Sequence, residues 1–421
     1  MVRWYYVIAV AITTLVSSLA YAGPYEDGVV AMNDKRYKEA YNALFPLAQE
    51  GNAEAETLIG LMYHQGLGVS KNYDKAILWY VKAADQGARD AEFNLGVMYY
   101  NGEGVEKNPE KAAEWFAKAG EHGRTDAQQK LAFMYHNGEG VERDYDKAIY
   151  WYKKLAETDF PEAALILGNF YYEGTHVSQD YSESLNWYIK AAEGKQVLAQ
   201  VRLGIQYEKG LGTEKNYEEA LKWFTKAAET GNHDAEFYLG QMYHKAEGVE
   251  QDNDTAVTWY EKAARSGHAE AQYRLGIMCQ EGWGTPQDSI KAVSWFTKSA
   301  NKNFAESQLK LGQMYKAGDG VPENYRLALQ WFRKAAEQGL AEAQFLLGVM
   351  YDKGEGGVPQ NHEEAVKWYK MAAKQGHPIA QGIVWALREE IGKDTEDTEN
   401  IRSLEDRTNG DMGNGESQDT P

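Results

Sequence analysis

Tryptophan recurs along this chain with a fixed step. Trp79, Trp115, Trp151, Trp187, Trp223, Trp259, Trp295 and Trp331 are each 36 residues apart, and Trp368 follows after 37. Glycine keeps the same period at Gly60, Gly96, Gly168, Gly204, Gly240, Gly276, Gly312 and Gly348, with Ala132 in the remaining slot. The extra residue of the last interval lies in Gly354-Glu355-Gly356-Gly357. A step of this length kept over so many units describes a stack of one supersecondary unit. The two or three unrelated globules that 421 residues would otherwise suggest do not fit it.

Each unit reads as two helices. In the first, Ala55, Ile59 and Met62/Tyr63 recur at i, i+4 and i+7, one face of a helix. Gly66-Leu67-Gly68-Val69 then supplies a left-handed C-cap and a further positive-φ turn. The second runs roughly from Tyr73 to Gln86 with Ala76, Trp79, Tyr80, Ala83 and Ala84 on its buried face, and Gly87 ends it. Glycine inside a helix costs about 1 kcal/mol against alanine. Ala132 shows that the slot needs a small side chain rather than positive φ. We therefore expect close approach of the two helices, with the Trp and Tyr of the second packed around the gap.

The pattern L-G-x-x-Y followed by A-x-x-x-[FY], as in Leu95-Gly96…Tyr99 and Ala112…Phe116, resembles the tetratricopeptide pattern. The longer Gly-x-Gly-Val loop and the Trp-Tyr pair are similar to its relatives, the Sel-one-like repeats. The resemblance covers nine units, residues 52–376, and implies an all-α, right-handed α-solenoid of antiparallel helix pairs. It departs from the pattern at His176, where the second loop glycine belongs, and at Ala246 for the first, so those loops are expected to be locally reshaped. Gln206 and Cys279 replace Met and Tyr in two units. Residues 23–51 read as a degenerate N-terminal helical unit. Residues 377–391, with Ile379, Ile383, Val384, Leu387 and Ile391, read as a capping helix, because a solenoid needs its end faces covered.

Residues 1–22 have the form of a signal peptide. Trp4 to Ala22 is uncharged, Arg3 precedes it, and Ala20-Tyr21-Ala22 offers an A-x-A cleavage site before Gly23. The expected mature protein has no membrane span and is exported to the periplasm or secreted, with a Gram-negative bacterium as the source. Residues 392–421 are polar and acidic and are expected to be disordered.

The chemistry is read by elimination. A net charge of −19 excludes a nucleic-acid partner, which needs a basic surface. The single Cys279 excludes a disulfide framework and CxxC chemistry, and its Tyr-column slot makes it a buried filler. No P-loop, HExxH zinc signature or G-x-S-x-G elbow occurs. Hence no catalytic, cofactor or metal residues are assigned. Some secreted members of the resembled family are β-lactam-binding or hydrolysing, but those are cysteine-rich, and one cysteine sets that reading aside.

What remains is a surface. With Ala55, Ile59 and Met62 packed, slots 57, 61 and 64 lie on the opposite side of the first helix, and they diverge between repeats while the packing slots do not. The candidate partner-binding residues on the concave side are Phe93, Leu165, Phe237, Tyr273 and Phe345 at slot 57, Val97 and Phe133 at slot 61, and Tyr100, His136, Tyr172 and His244 at slot 64. The expected function is an exported, non-enzymatic scaffold for a protein or peptide. The resemblance adds roles in envelope signalling, envelope assembly or host interaction. The alternative is a carboxylate-dependent hydrolase or glycan-binding protein, which needs an acid pair roughly 5–10 Å apart. The inner columns offer Glu208 and Asp352, four repeats apart.

Overall fold

The computed structural model describes residues 23–158 and 160–388, so the signal-peptide segment, the acidic tail and part of the capping segment lie outside the described residues. Every regular element among the described residues is a helix. In each repeat the second helix is opened by one device. Asn72, Asn108, Asp144, Asp180, Asn216, Asp252, Asp288, Asn324 and Asn361 each accept the N–H three residues on, at 2.8–3.0 Å. Such a cap contributes about 1 kcal/mol.

The first helix of each repeat ends on a left-handed residue, glycine in eight repeats and Ala246 in the sixth. Ala246 keeps the same turn at φ 62°, so the loop is not reshaped there and a side chain is held where glycine is favoured. Replacing Ala246 with Gly should therefore raise stability by about 1 kcal/mol, read as a higher thermal midpoint. A lower midpoint would contradict the strain. His176 behaves otherwise: it is not among the positive-φ residues, and its ring stacks on Tyr145 at 3.4 Å. That loop is reshaped.

The helical glycines sit against the ring at the slot after tryptophan. A Cβ built on Gly60 would lie 2.7 Å from Tyr80, on Gly240 2.7 Å from Tyr260, and on Gly276 2.6 Å from Phe296. The close approach is as expected, but the ring at the contact is the Tyr or Phe, not the Trp. The tryptophans lie beside it, seven of them under the lysine three residues on, as with Lys82 over Trp79 at 4.4 Å and Lys298 over Trp295 at 3.8 Å. At the alanine variant of the slot, Ala132, the facing Tyr152 is 7% exposed, whereas Tyr80 is fully buried. Gly276→Ala should thus cost about 1–3 kcal/mol by overpacking, measured as a fall in the denaturation midpoint.

The chain divides into two compact units at Gln196 and Val197. In the first, Pro24–Asn33 and Tyr37–Gln49 form a helix pair with Gly28 against Leu44, and four repeats follow, each helix packed on its sequence neighbours. The second holds five repeats from Val197–Lys209 to His362–Lys374, and then a helix over residues 378–388. That last helix buries Ala380 and Val384 but leaves Ile379 59% and Trp385 66% exposed. Aligned with Ala341–Lys353, it puts Trp385 in the glycine slot, where no further second helix could seat its ring.

Candidate functional site

Slot 57 is not an open column. Phe93 and Phe237 are 6% and 5% exposed. Each slot-57 ring lies between the aromatic of its own second helix and the residue that begins the next helix. Phe93 has Phe116 at 5.4 Å and the Arg124 guanidinium at 4.6 Å; Phe237 has Tyr260 at 5.8 Å and His268 at 4.6 Å. Half-buried Tyr273 and Phe345 repeat this with Phe304 and His377. These rings seal one repeat to the next, which corrects the expectation that Phe93 and Phe237 offer free anchors. Leu165 and Val97 are half-buried, and Phe133 stands 48% exposed.

In four repeats slot 64 is bonded to the following repeat's loop, 39 residues on. His64 Nε2 meets Glu103 at 2.6 Å, Tyr100 donates to Glu139, Gln280 donates to Asp319 at 3.2 Å, and Lys316 pairs with Glu355 at 3.1 Å. His244 accepts or donates to Asn253 at 2.9 Å and lies 5.5 Å from the ring of Trp283, which takes the loop position. Tyr100 also carries the Lys130 ammonium 3.9 Å over its ring. His136 bonds Tyr152 at 3.0 Å within a ring cluster including Phe170, and Tyr172 packs on Tyr181.

One rung differs. Glu208 stands opposite Glu247, and both line a cavity of about 450 Å³ with Tyr217, Phe237, Tyr238, Gln241 and Glu270. Burial, reinforced by Glu247, raises the Glu208 carboxyl above its ordinary range. Glu247 Oε2 is buried without a hydrogen bond, and Oε1 has the Tyr217 hydroxyl at 3.5 Å. The helical wheel missed Glu247 because it belongs to a neighbouring loop. It also missed slot 58, with half-exposed Tyr238, Arg274 and Lys310, although that column diverges as strongly as slots 57 and 61.

His233, Asp234 and His268 also meet: His233 Nδ1 is 2.9 Å and His268 Nε2 3.4 Å from Asp234. The Ala271 N–H donates to His268 Nδ1, which places the neutral ring's proton on Nε2, facing Asp234. A metal at Nε2 would require the opposite tautomer. His377 is built alike, accepting from Ala380 and reaching Glu342 at 2.9 Å. These histidines act as struts between repeats.

Burial lowers the His268 and His136 imidazoles from their ordinary value, opposed at His268 by Asp234 and aided at His136 by His176. A base depressed in the folded state stabilises above its unfolded value of about 6.5 and loses that contribution as pH falls through the folded value. Thermal midpoints should therefore drop between about pH 7 and pH 5. His268→Asn, which keeps the cap as Asn232 does one repeat earlier, should flatten part of that drop; an unchanged profile would remove His268 as a source. The raised carboxyls of Glu208, Glu236 and Glu56 act with opposite sign, adding stability as they protonate at lower pH.

A profile described as the Sel1 repeat matches residues 53–87, 89–123, 125–158, 161–195, 197–232, 233–268, 269–304, 305–340 and 341–377. Among solved structures, the chain is similar to c5321, a protective antigen present in uropathogenic Escherichia coli strains displaying an SLR fold. The two are 29% identical over 94% of this chain and 96% of that one, with a TM-score of 0.56. It is also similar to a Sel1 repeat protein from Oxalobacter formigenes, 31% identical over 81% of this chain and 98% of that one, with a TM-score of 0.53. No curated protein matches the chain.

Proposed function

Because the chain belongs to the Sel1 repeat family, an α-solenoid family of helix pairs, we propose that it is an exported, non-enzymatic scaffold for a protein or peptide partner. The partner lies along the outward faces of the first helices. The observation that carries this reading is the behaviour of slots 58 and 61. Their side chains change at nearly every repeat and most stay partly exposed, as with Phe133, Tyr238, Gln241 and Arg274, although Leu58, Leu61, Asn94, Lys130 and Ile205 are buried; the packing slots repeat. Solenoids of stacked units offer such extended surfaces to partners.

A photo-crosslinking residue at Phe133 or Gln241 should capture a partner from the native envelope fraction, whereas one at exposed Leu78 or Tyr150 on the second helices should not. Equal capture from both faces would refute the assignment. Export is supported by the A-x-A pattern before Gly23 and by the similarity to a protective antigen. No helix among the described residues is long and apolar enough to cross a membrane. The mature protein should begin at Gly23 by intact mass; retention of Met1 would contradict export by cleavage.

The facing of Glu208 and Glu247 favours a second reading, the carboxylate-dependent hydrolase, since one raised acid beside another is what such chemistry uses. Turnover of a chromogenic glycoside that disappears in Glu208→Gln would establish it in place of the scaffold.

A further inference from the structure

We propose that the rung formed by Glu208 and Glu247 is completed from outside the chain, by a lysine or arginine side chain of the partner. This rests on the scaffold reading and names the chemistry of one contact within it. The internal repeats are their own comparison. The loop position of Glu247 is that of Glu103, Glu139 and Glu355, and each of those receives a partner from slot 64 of the preceding repeat. At Glu355 that partner is a lysine ammonium at 3.1 Å, and at Glu103 an imidazole nitrogen at 2.6 Å. In the rung at Glu208 the slot holds a second carboxylate, so the donor that the chain supplies elsewhere is missing.

The surroundings keep that position open. Glu247 Oε2 is buried and unbonded, and neither carboxylate joins an ion pair among the described residues. The cavity of about 450 Å³ is too large for a single metal ion but suits a side-chain head with its methylene stem. Tyr217 and half-exposed Tyr238 line it, and Tyr217 already carries the Lys215 ammonium 5.4 Å over its ring, so this wall accepts organic cations. Glu270, paired with Arg274 at 3.1 Å, adds a third carboxylate, and exposed Lys209, Lys215 and Lys245 line the cavity as well, with Lys215 Nζ 3.4 Å from the Tyr217 hydroxyl. The chain's charge of −19 draws a basic partner in general; the rung fixes where one cation seats.

The test uses the full mature chain and fluorescein-labelled Gly-Arg-Gly-Lys-Gly-Arg-Gly, followed by anisotropy at fixed ionic strength. Glu208→Lys supplies the missing cation from within, as Lys316 does, and should weaken peptide binding about tenfold or more while leaving or raising the thermal midpoint. Glu218→Lys, exposed on the next helix, makes the same change in net charge and should weaken binding less than about twofold. Glu208→Gln, which keeps the shape, should fall between them. Equal losses in Glu208→Lys and Glu218→Lys, or no loss in either, would overturn the site. So would displacement of the peptide by calcium chloride but not by sodium chloride of the same ionic strength, which would assign the rung to a metal ion. If crosslinking at Phe133 survives in Glu208→Lys although peptide binding was never localised, the rung fails and the scaffold reading stands. Loss of capture at every first-helix position would remove both.

Discussion

Phe296→Ala lowers stability by about 3–5 kcal/mol, the range for deleting a fully buried aromatic. Phe296 is fully buried, its ring fills the space that Gly276 leaves by having no side chain, and Tyr273 packs on it at 5.8 Å. The loss is local in origin, because each repeat packs chiefly on its sequence neighbours. Hydrogen exchange should therefore show lost protection in the sixth to eighth repeats before any other part of the second unit. The cavity also makes a sharper test possible. Gly276→Leu alone drives a side chain into the Phe296 ring and is destabilising. Combined with Phe296→Ala, the leucine enters vacated space, and the double variant should be more stable than the sum of the two losses implies. Additive losses would mean that glycine and ring do not share one volume.

The contrast between that pair and the binding face shows what a single sequence discloses. The glycine column was legible because its cause is steric and recurs in every repeat, so Ala132 served as an internal substitution. Even so, the loudest signal misled in one respect: in seven repeats the Trp column lies under a lysine, and the quieter Tyr/Phe column marks the centre of the packing. Ala246 kept its turn because one strained φ costs less than rebuilding a loop, whereas His176 found an aromatic stack to replace it.

The site was legible only in part, for a physical reason. A helical wheel treats one helix in isolation, and by that rule slots 57 and 64 face away from the packed side. In the folded chain the residue opening the next helix closes over slot 57, and the next loop reaches slot 64, so rings such as Phe93 and Phe237 become mortar. The pairing of slot 64 with a position 39 residues on is written in the sequence, in His64 with Glu103 and Lys316 with Glu355. It has no meaning until the stacking is known. Glu208 with Glu247 becomes conspicuous against those rungs.

Excising residues 305–340 should leave a shorter protein that is still folded, while ending the chain at His377 should make it aggregate. The excision brings Ala341–Lys353 onto Ser289–Ala300 in place of Ala305–Ala317. The new neighbours fit. Gln308 donates to the Ala300 carbonyl at 3.2 Å, and Gln344 makes the same bond to Ala336 at 3.2 Å, so Gln344 can take over the Ala300 carbonyl. The loss is one hydroxyl contact: Ser307 bonds Ser299 at 2.7 Å, and Ala343 has no group to replace it. Ser299 keeps its own bond to the Ala269 carbonyl at 2.8 Å, so no buried hydroxyl is left without a partner. Circular dichroism per residue should be unchanged and the protein monodisperse on a sizing column. Collapse would show that the stack is not a sum of neighbour terms. Ending at His377 removes no repeat but strips Ile383 and Val384 from the cluster around Tyr369, Phe345 and Val349, exposing the stacking face of the last pair. A chain ending at Arg388 keeps that helix and controls for loss of the acidic tail. Aggregation of both truncations would place the protection in the tail, and solubility of both would deny the end face any need of cover.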